Sequence, residues 1–137
     1  MHILTIDTGS PTPVYEQIME HIRTCVRDGE LRPAAPLPSV RQLAGDLGVN
    51  PNTVAKAYML LEREGILRSV RRRGCFVTPA APDRVRENAG AKLEEALDHM
   101  VEQADRLGLP RADVLQALIQ RLEQARKKPN PRGGAPS

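Results

Sequence analysis

The sequence predicts a mainly α fold that carries one small β-hairpin. Three observations lead to it. Helix starts are written twice in close succession, at Ser39 and at Asn50-Pro51. Apolar residues recur at spacings of three and four along most of the 137 residues. One short strand-like stretch, residues 66–78, folds about a tight basic turn. Apolar residues make up 40% of the chain and aromatic residues 2%. The core is therefore expected to be aliphatic, and a pocket walled by aromatic rings is not expected.

In chain order, His2 to Asp7 alternate weakly, which predicts a short strand. Gly9-Ser10-Pro11 breaks it. Pro13 is expected at the first position of a helix, where its missing N–H costs nothing. Tyr15, Ile18, Met19, Ile22 and Val26 then form one apolar stripe. Gly29 stops this helix, and Leu31 can fold back on its last turn. Residues 32–38, with Pro33, Pro36 and Pro38, read as a stiff connector.

Ser39 caps the second helix, and Gln42 completes a capping box with it. Val40, Leu43, Ala44 and Leu47 are its apolar set. Gly48-Val49-Asn50 is a tight turn. Asn50 caps the third helix and Pro51 takes its first position. At 100° per residue, Val54, Ala57, Tyr58 and Leu61 fall within about 100° of one another and form a core face. Asn52, Lys56, Met59 and Arg63 lie opposite, with Thr53 at the flank. Two helices so joined over residues 37–65 make a helix-turn-helix, whose second helix enters the DNA major groove. The free N–H groups at its start suit a phosphate.

Gly65 ends the third helix. Residues 66–70 and 75–78 then flank Arg71-Arg72-Arg73-Gly74 as a hairpin with a basic tip. Phe76, the one phenylalanine, is expected to pack under the helices. Pro79 and Pro82 are read as opening a linker. From about Asp83 to Leu107 the pattern is helical, with Gly90 a weak point, and Leu93, Leu97, Met100, Ala104 and Leu107 keep heptad spacing. Gly108-Leu109-Pro110 breaks it. A last helix runs to about Lys127, with Val114, Leu115, Leu118, Leu122 and Ala125 inward. Two such helices cannot bury their stripes alone. Pairing with a second copy through Leu93, Leu97, Met100, Leu107, Leu115, Leu118 and Leu122 is the expected remedy. The expected organisation is a winged helix-turn-helix over residues 1–78, a two-helix dimerisation segment over 79–128, and a disordered tail over 129–137.

A net charge of +3 and a pI near 9.2 are mild. The excess is shared almost evenly between residues 1–78 and the rest. A DNA-binding face must then be a local patch, with Arg68 and Arg71-Arg72-Arg73 the candidate. A sequence-indifferent architectural binder, which relies on a broad basic surface, is disfavoured. His2, His21 and His99 are scattered, and Cys25 and Cys75 lack metal or redox spacing, so no metal and no cofactor are expected. Both cysteines are read as reduced and mostly buried, with a disulfide as the lesser alternative. No motif places a histidine base beside Ser39, so catalysis is not expected. No apolar run of about 18 residues and no signal peptide are present, so the expected compartment is the cytoplasm, with no membrane partner.

Several separated stretches agree in order and spacing with one family. They are Tyr15-Glu16-Gln17-Ile18, Gly29-Glu30-Leu31-Arg32-Pro33, the run from Leu37 to Ala44, the run from Leu47 to Val54, and Leu61-Glu62-Arg63-Glu64-Gly65. Residues 12–78 resemble the winged-helix domain of GntR-family bacterial transcription regulators, and the short two-helix C-terminus resembles the YtrA-like subfamily. The resemblance implies a homodimeric repressor on double-stranded DNA with a pseudo-palindromic operator, such as that of a transporter operon. It leaves the identity of any small-molecule effector unknown. It places DNA contacts at Ser39 and Arg41, at Asn52 and Thr53, and at the wing residues Arg71, Arg72, Arg73 and Gly74; Lys56, on the outward face of the third helix, is read from its own chemistry as a phosphate contact. Two departures stand out. The family usually has glycine after Pro33, where this chain has Ala34, which predicts a different bend. Its wing often reads Gly-x-Gly, and Arg72 occupies the first of those positions. An arginine there would favour a narrow A·T-rich minor groove.

Overall fold

A computed structural model of the protein describes residues 4–127. Its elements are α1 (Val14–Arg27), α2 (Val40–Leu47), α3 (Pro51–Arg63), β1 (Leu67–Val70), β2 (Gly74–Val77), α4 (Ala81–Arg106) and α5 (Arg111–Lys127). The chain divides into two compact units, one up to Ala91 and one from Lys92 on. The division falls beyond the boundary expected after residue 78.

The first unit is built on the apolar stripes of α1, α2 and α3. Ile18, Ile22, Val54, Leu61, Ile66, Leu67 and Val77 have no more than 2% of their surface exposed. The caps form where the sequence marks them. Ser39 Oγ accepts from the Gln42 N–H at 3.1 Å, and Asn50 Oδ1 accepts from the Asn52 N–H at 2.8 Å, with Pro51 in the first turn. Gly48 ends α2 in the left-handed conformation, φ +67°, and the Val49 N–H returns to the Ala44 carbonyl at 3.0 Å. That closes the helix and turns the chain into α3.

Four expectations are corrected. Residues 4–7 form no strand. Leu4 and Ile6 pack against the core, and the Asp7 backbone is held by the Gln17 side chain at 2.8 and 2.9 Å. The rest of that expected strand, His2 and Ile3, lies outside the described residues. Pro13 is the N-cap of α1, one position earlier than expected. Phe76 is half-buried and does not lie under the helices. In the β1–β2 register Leu67 faces Val77, and Phe76 faces Arg68 on the opposite side of the hairpin, because alternate residues point to opposite faces. Finally, Pro79 to Pro82 is not a linker. Pro82 sits in the first turn of α4, where its missing N–H is tolerated, and Ala81 and Val85 join the core.

The connector also does more than join. It lies antiparallel along the free edge of β2. The Ala34 N–H donates to Val77 O at 2.8 Å, the Val77 N–H to Ala35 O at 2.9 Å, and the Leu37 N–H to Cys75 O at 2.8 Å. Pro36 opposes Phe76 and has no N–H to leave unpaired, so it is tolerated on this edge.

In the second unit, α4 and α5 meet along a groove of about 330 Å³ that includes Met100, Ala104, Leu107, Val114 and Leu118. Ala104 is buried; Val114 and Leu118 are half-buried. No residue of α5 is fully buried, so among the described residues Leu115, Leu122 and Ala125 of its expected inward set stay exposed and Val114 and Leu118 are only partly covered. Leu93, Leu107, Leu115 and Leu122 are each at least 60% exposed, and Leu97 and Met100 are also exposed. Two amphipathic helices have too few partners to cover both stripes. Among the described residues no helix is long and apolar enough to cross a membrane. The expected tail lies outside the described residues.

Candidate nucleic-acid interface

One cleft of about 620 Å³ opens between the start of α2, the outward side of α3 and the hairpin. Its lining includes Ser39, Ala55, Met59, Arg72, Arg73 and Gly74. Three elements distant in sequence thus bring Ser39 and three of the four wing residues to one surface. Arg41, Asn52, Thr53, Lys56 and Arg71 lie outside that lining. All of them are exposed except Thr53, which is half-buried. Asn52 and Thr53 occupy the first turn of α3, and both of their backbone N–H groups are taken by Asn50, through its side chain and its carbonyl. The expected presentation of those N–H groups to a phosphate is therefore already partly spent on the cap. Lys56 lies a turn later with its ammonium 4.0 Å from the centroid of the Tyr15 ring.

Two side chains that the sequence pattern assigned no such role hold the cleft in shape. The Tyr58 hydroxyl donates to the Pro38 carbonyl at 2.7 Å, tying the residue before the α2 cap to α3. Burial pushes the Tyr58 phenol well above its ordinary pKa. Glu62 accepts from the Ser69 N–H at 3.1 Å and so ties β1 to α3. The Cys75 thiol, half-buried in the same cleft, is pushed up mainly by burial and further by the Glu62 carboxylate. Near neutral pH this keeps the thiol protonated.

The hairpin tip turns at residues 71–73, with the Arg73 N–H donating to Val70 O at 3.0 Å. Arg72 occupies the third position of this turn with φ +69°. A type II turn demands that conformation and normally takes glycine there. Ala34 has φ +71°. Among the described residues these two are the only ones other than glycine with positive φ. They are the same two positions where the family pattern expects glycine. At Ala34 the backbone holds, with a Cβ in place, a conformation that glycine normally takes. Among the described residues no group of three or more His, Cys, Asp or Glu side chains could hold a metal ion.

Residues 14–77 match the family of bacterial regulatory proteins, gntR family. The chain is 38% identical over 107 residues to the HTH-type transcriptional repressor YtrA of Bacillus subtilis, a match covering 78% of this chain and 82% of that protein. Among solved structures it is similar to YtrA from Sulfolobus acidocaldarius, a GntR-family transcription factor, at 39% identity and a TM-score of 0.58, covering 71% of this chain and 99% of that one. It is also similar to the DNA-binding domain of AraR in complex with operator ORX1, at 29% identity and a TM-score of 0.52, covering 57% and 99%. The chain belongs to the GntR family of bacterial regulatory proteins, is YtrA-like within it, and is a DNA-binding transcription regulator.

Proposed function

We propose that the protein is a cytoplasmic, homodimeric repressor that reads a pseudo-palindromic operator, one recognition helix to each half-site. The observation that carries this reading is the cleft shared by the α2 start, the outward side of α3 and the arginine-tipped hairpin, with Arg41, Asn52 and Lys56 exposed outside its lining. In this reading α3 enters the major groove. Arg41 and Asn52 read base edges, Asn52 through an amide suited to adenine, and Thr53 and Ser39 fix the register. Lys56, Arg71, Arg72 and Arg73 supply affinity through phosphates, and Gly74 lets the wing backbone approach. Repression is supported by the repressor YtrA among the relatives. The YtrA-like character makes a transporter operon the target to examine first.

Dimerisation is supported by the second unit. Leu93, Leu97, Met100, Leu107, Leu115 and Leu122 leave a large apolar surface uncovered, and Leu118 lines the groove beside it. Isolated soluble chains rarely expose such a patch without a partner. A two-fold protein also matches a two-fold operator.

Selection of bound duplexes from a random DNA pool, with sedimentation of the free protein, tests this reading. The expected result is a dimer in solution and an inverted repeat with half-site centres about 10 base pairs, or a multiple of that, apart. A monomer that selects an asymmetric site overturns the dimeric reading. A pool with no enriched sequence overturns specific recognition.

A further inference from the structure

Among the described residues of the first unit, one large apolar side chain is exposed. It is Met59, on the outward side of α3, with 44% of its surface exposed; the other exposed large apolar side chains all lie beyond Ala91. Measured around α3 from Asn52 at about 100° per residue, Lys56 falls about 40° to one side, and Met59 and Ala55 about 20° and 60° to the other. The outward face is thus split lengthwise. Its Lys56 edge is charged and meets Tyr15 of α1. Its Ala55–Met59 edge is apolar and lines the cleft beside the hairpin, which Arg72 and Arg73 also line. Ala55 is exposed as well. Residues four apart are neighbours on a helix surface, and a long helical side chain covers the turn before its own. Met59 and Ala55 therefore make one continuous strip that runs toward the start of α3.

We propose that Ala55 and Met59 form an apolar seat for the C5-methyl group of a thymine, and so are specificity-determining residues for the operator. The proposal rests on the sequence-reading function given above, with α3 in the major groove. A duplex is the occupant that fits the charges around the strip: Lys56 stands on the same helix face, and Arg72 and Arg73 stand across the cleft. A phosphate pressed against the strip itself would lose water and gain no donor, so the strip selects an apolar group. The thymine methyl is the one apolar group that base edges present in the major groove. Arg41 and Asn52 read by hydrogen bonds, and the seat adds a preference for thymine over cytosine by contact alone.

The test uses the full chain and the duplex selected by the wild-type protein, with deoxyuridine put in place of each thymidine in turn. Each exchange removes one methyl group and leaves the hydrogen bonds of the base pair intact. Wild type is expected to lose about three- to fivefold in affinity at one thymine of the half-site, the effect of one buried methyl group, and less than about twofold at the others. In Met59→Ala and in Ala55→Ser the same exchange should cost less than about twofold. Met59→Leu, which keeps an apolar side chain of similar size, should keep the wild-type loss. Thermal melting reports folding for each. A wild type indifferent to every exchange, a selected half-site without thymine, or a methyl effect that survives at full size in either Met59→Ala or Ala55→Ser overturns the proposal while leaving sequence reading in place. A wild type that selects no sequence overturns sequence reading and this proposal with it.

Discussion

Lys56 of the recognition helix rests on Tyr15 of α1, its ammonium 4.0 Å from the ring centroid. Such a contact contributes about 0.5–1 kcal/mol at an exposed site and narrows the positions a long side chain samples. Tyr15→Leu is therefore expected to weaken DNA binding by about two- to fivefold, the equivalent of that energy. Tyr15→Phe, which keeps the ring face, should stay close to wild type. Fluorescence anisotropy titration of the selected duplex measures both. Equal affinity for Tyr15→Leu and wild type would show that the stacking has no part in presenting Lys56.

Ala34 holds a left-handed backbone that costs a residue with a Cβ about 1–2 kcal/mol. Glycine removes that strain but loses more chain entropy on folding, about 0.5–1 kcal/mol. Ala34→Gly is thus expected to stabilise the protein by up to about 1 kcal/mol and to raise Tm by a few degrees. A lower Tm for the variant would contradict the strain assigned to this position.

Arg72 has the same backbone but a different expected outcome. Arg72→Gly should raise stability for the reason given for Ala34 while weakening DNA binding. Its salt dependence should flatten by about one unit, the loss of one phosphate contact. Stability and affinity then move in opposite directions in a single variant. A salt slope identical to wild type would exclude a phosphate contact at Arg72.

Much of the reading head was legible because its signals are local. Ser39 and Asn50 cap within three residues of themselves, and Val54, Ala57, Tyr58 and Leu61 are set by helical period alone. The misplaced elements depend on pairing between distant stretches. The connector reads as loop because Pro36 cannot donate, yet the Ala34 and Leu37 N–H groups meet β2 some forty residues on. The chemistry of Phe76 predicts a core position, but a register in which it opposes Arg68 and not Leu67 turns it to the other face. The hydrogen bonds that Glu64 accepts from Arg23 and Asn88 have no sequence pattern at all. The two donors lie 41 and 24 residues away, and only the fold brings them together.

Tyr58 and Cys75 make stability depend on alkaline pH. Their ordinary pKa values are 10.0 and 9.0, and burial raises both in the folded protein. As pH climbs past those ordinary values the unfolded chain releases its protons first, so the unfolded state is favoured. The contribution is fully present below about pH 9 and is lost progressively above it. Thermal melting from pH 7 to 11 should show a flat region and then a fall. Tyr58→Phe should make the fall above pH 10 shallower. It should also cost about 1 kcal/mol at neutral pH, because the Pro38 carbonyl loses its donor. An unchanged alkaline slope in Tyr58→Phe would remove the phenol from this account.

The central claim is that the exposed surface around α2, α3 and the wing reads a DNA sequence, with Arg41 at its edge a reader of base edges. Titration of wild type and Arg41→Ala against the selected duplex and a scrambled duplex, at one salt concentration, tests it most directly. Wild type is expected to prefer the selected duplex by about a thousandfold or more. Arg41→Ala should lose about ten- to a hundredfold of that preference and sediment as wild type does. An Arg41→Ala protein with wild-type preference, or a wild type that binds the two duplexes equally, would contradict it.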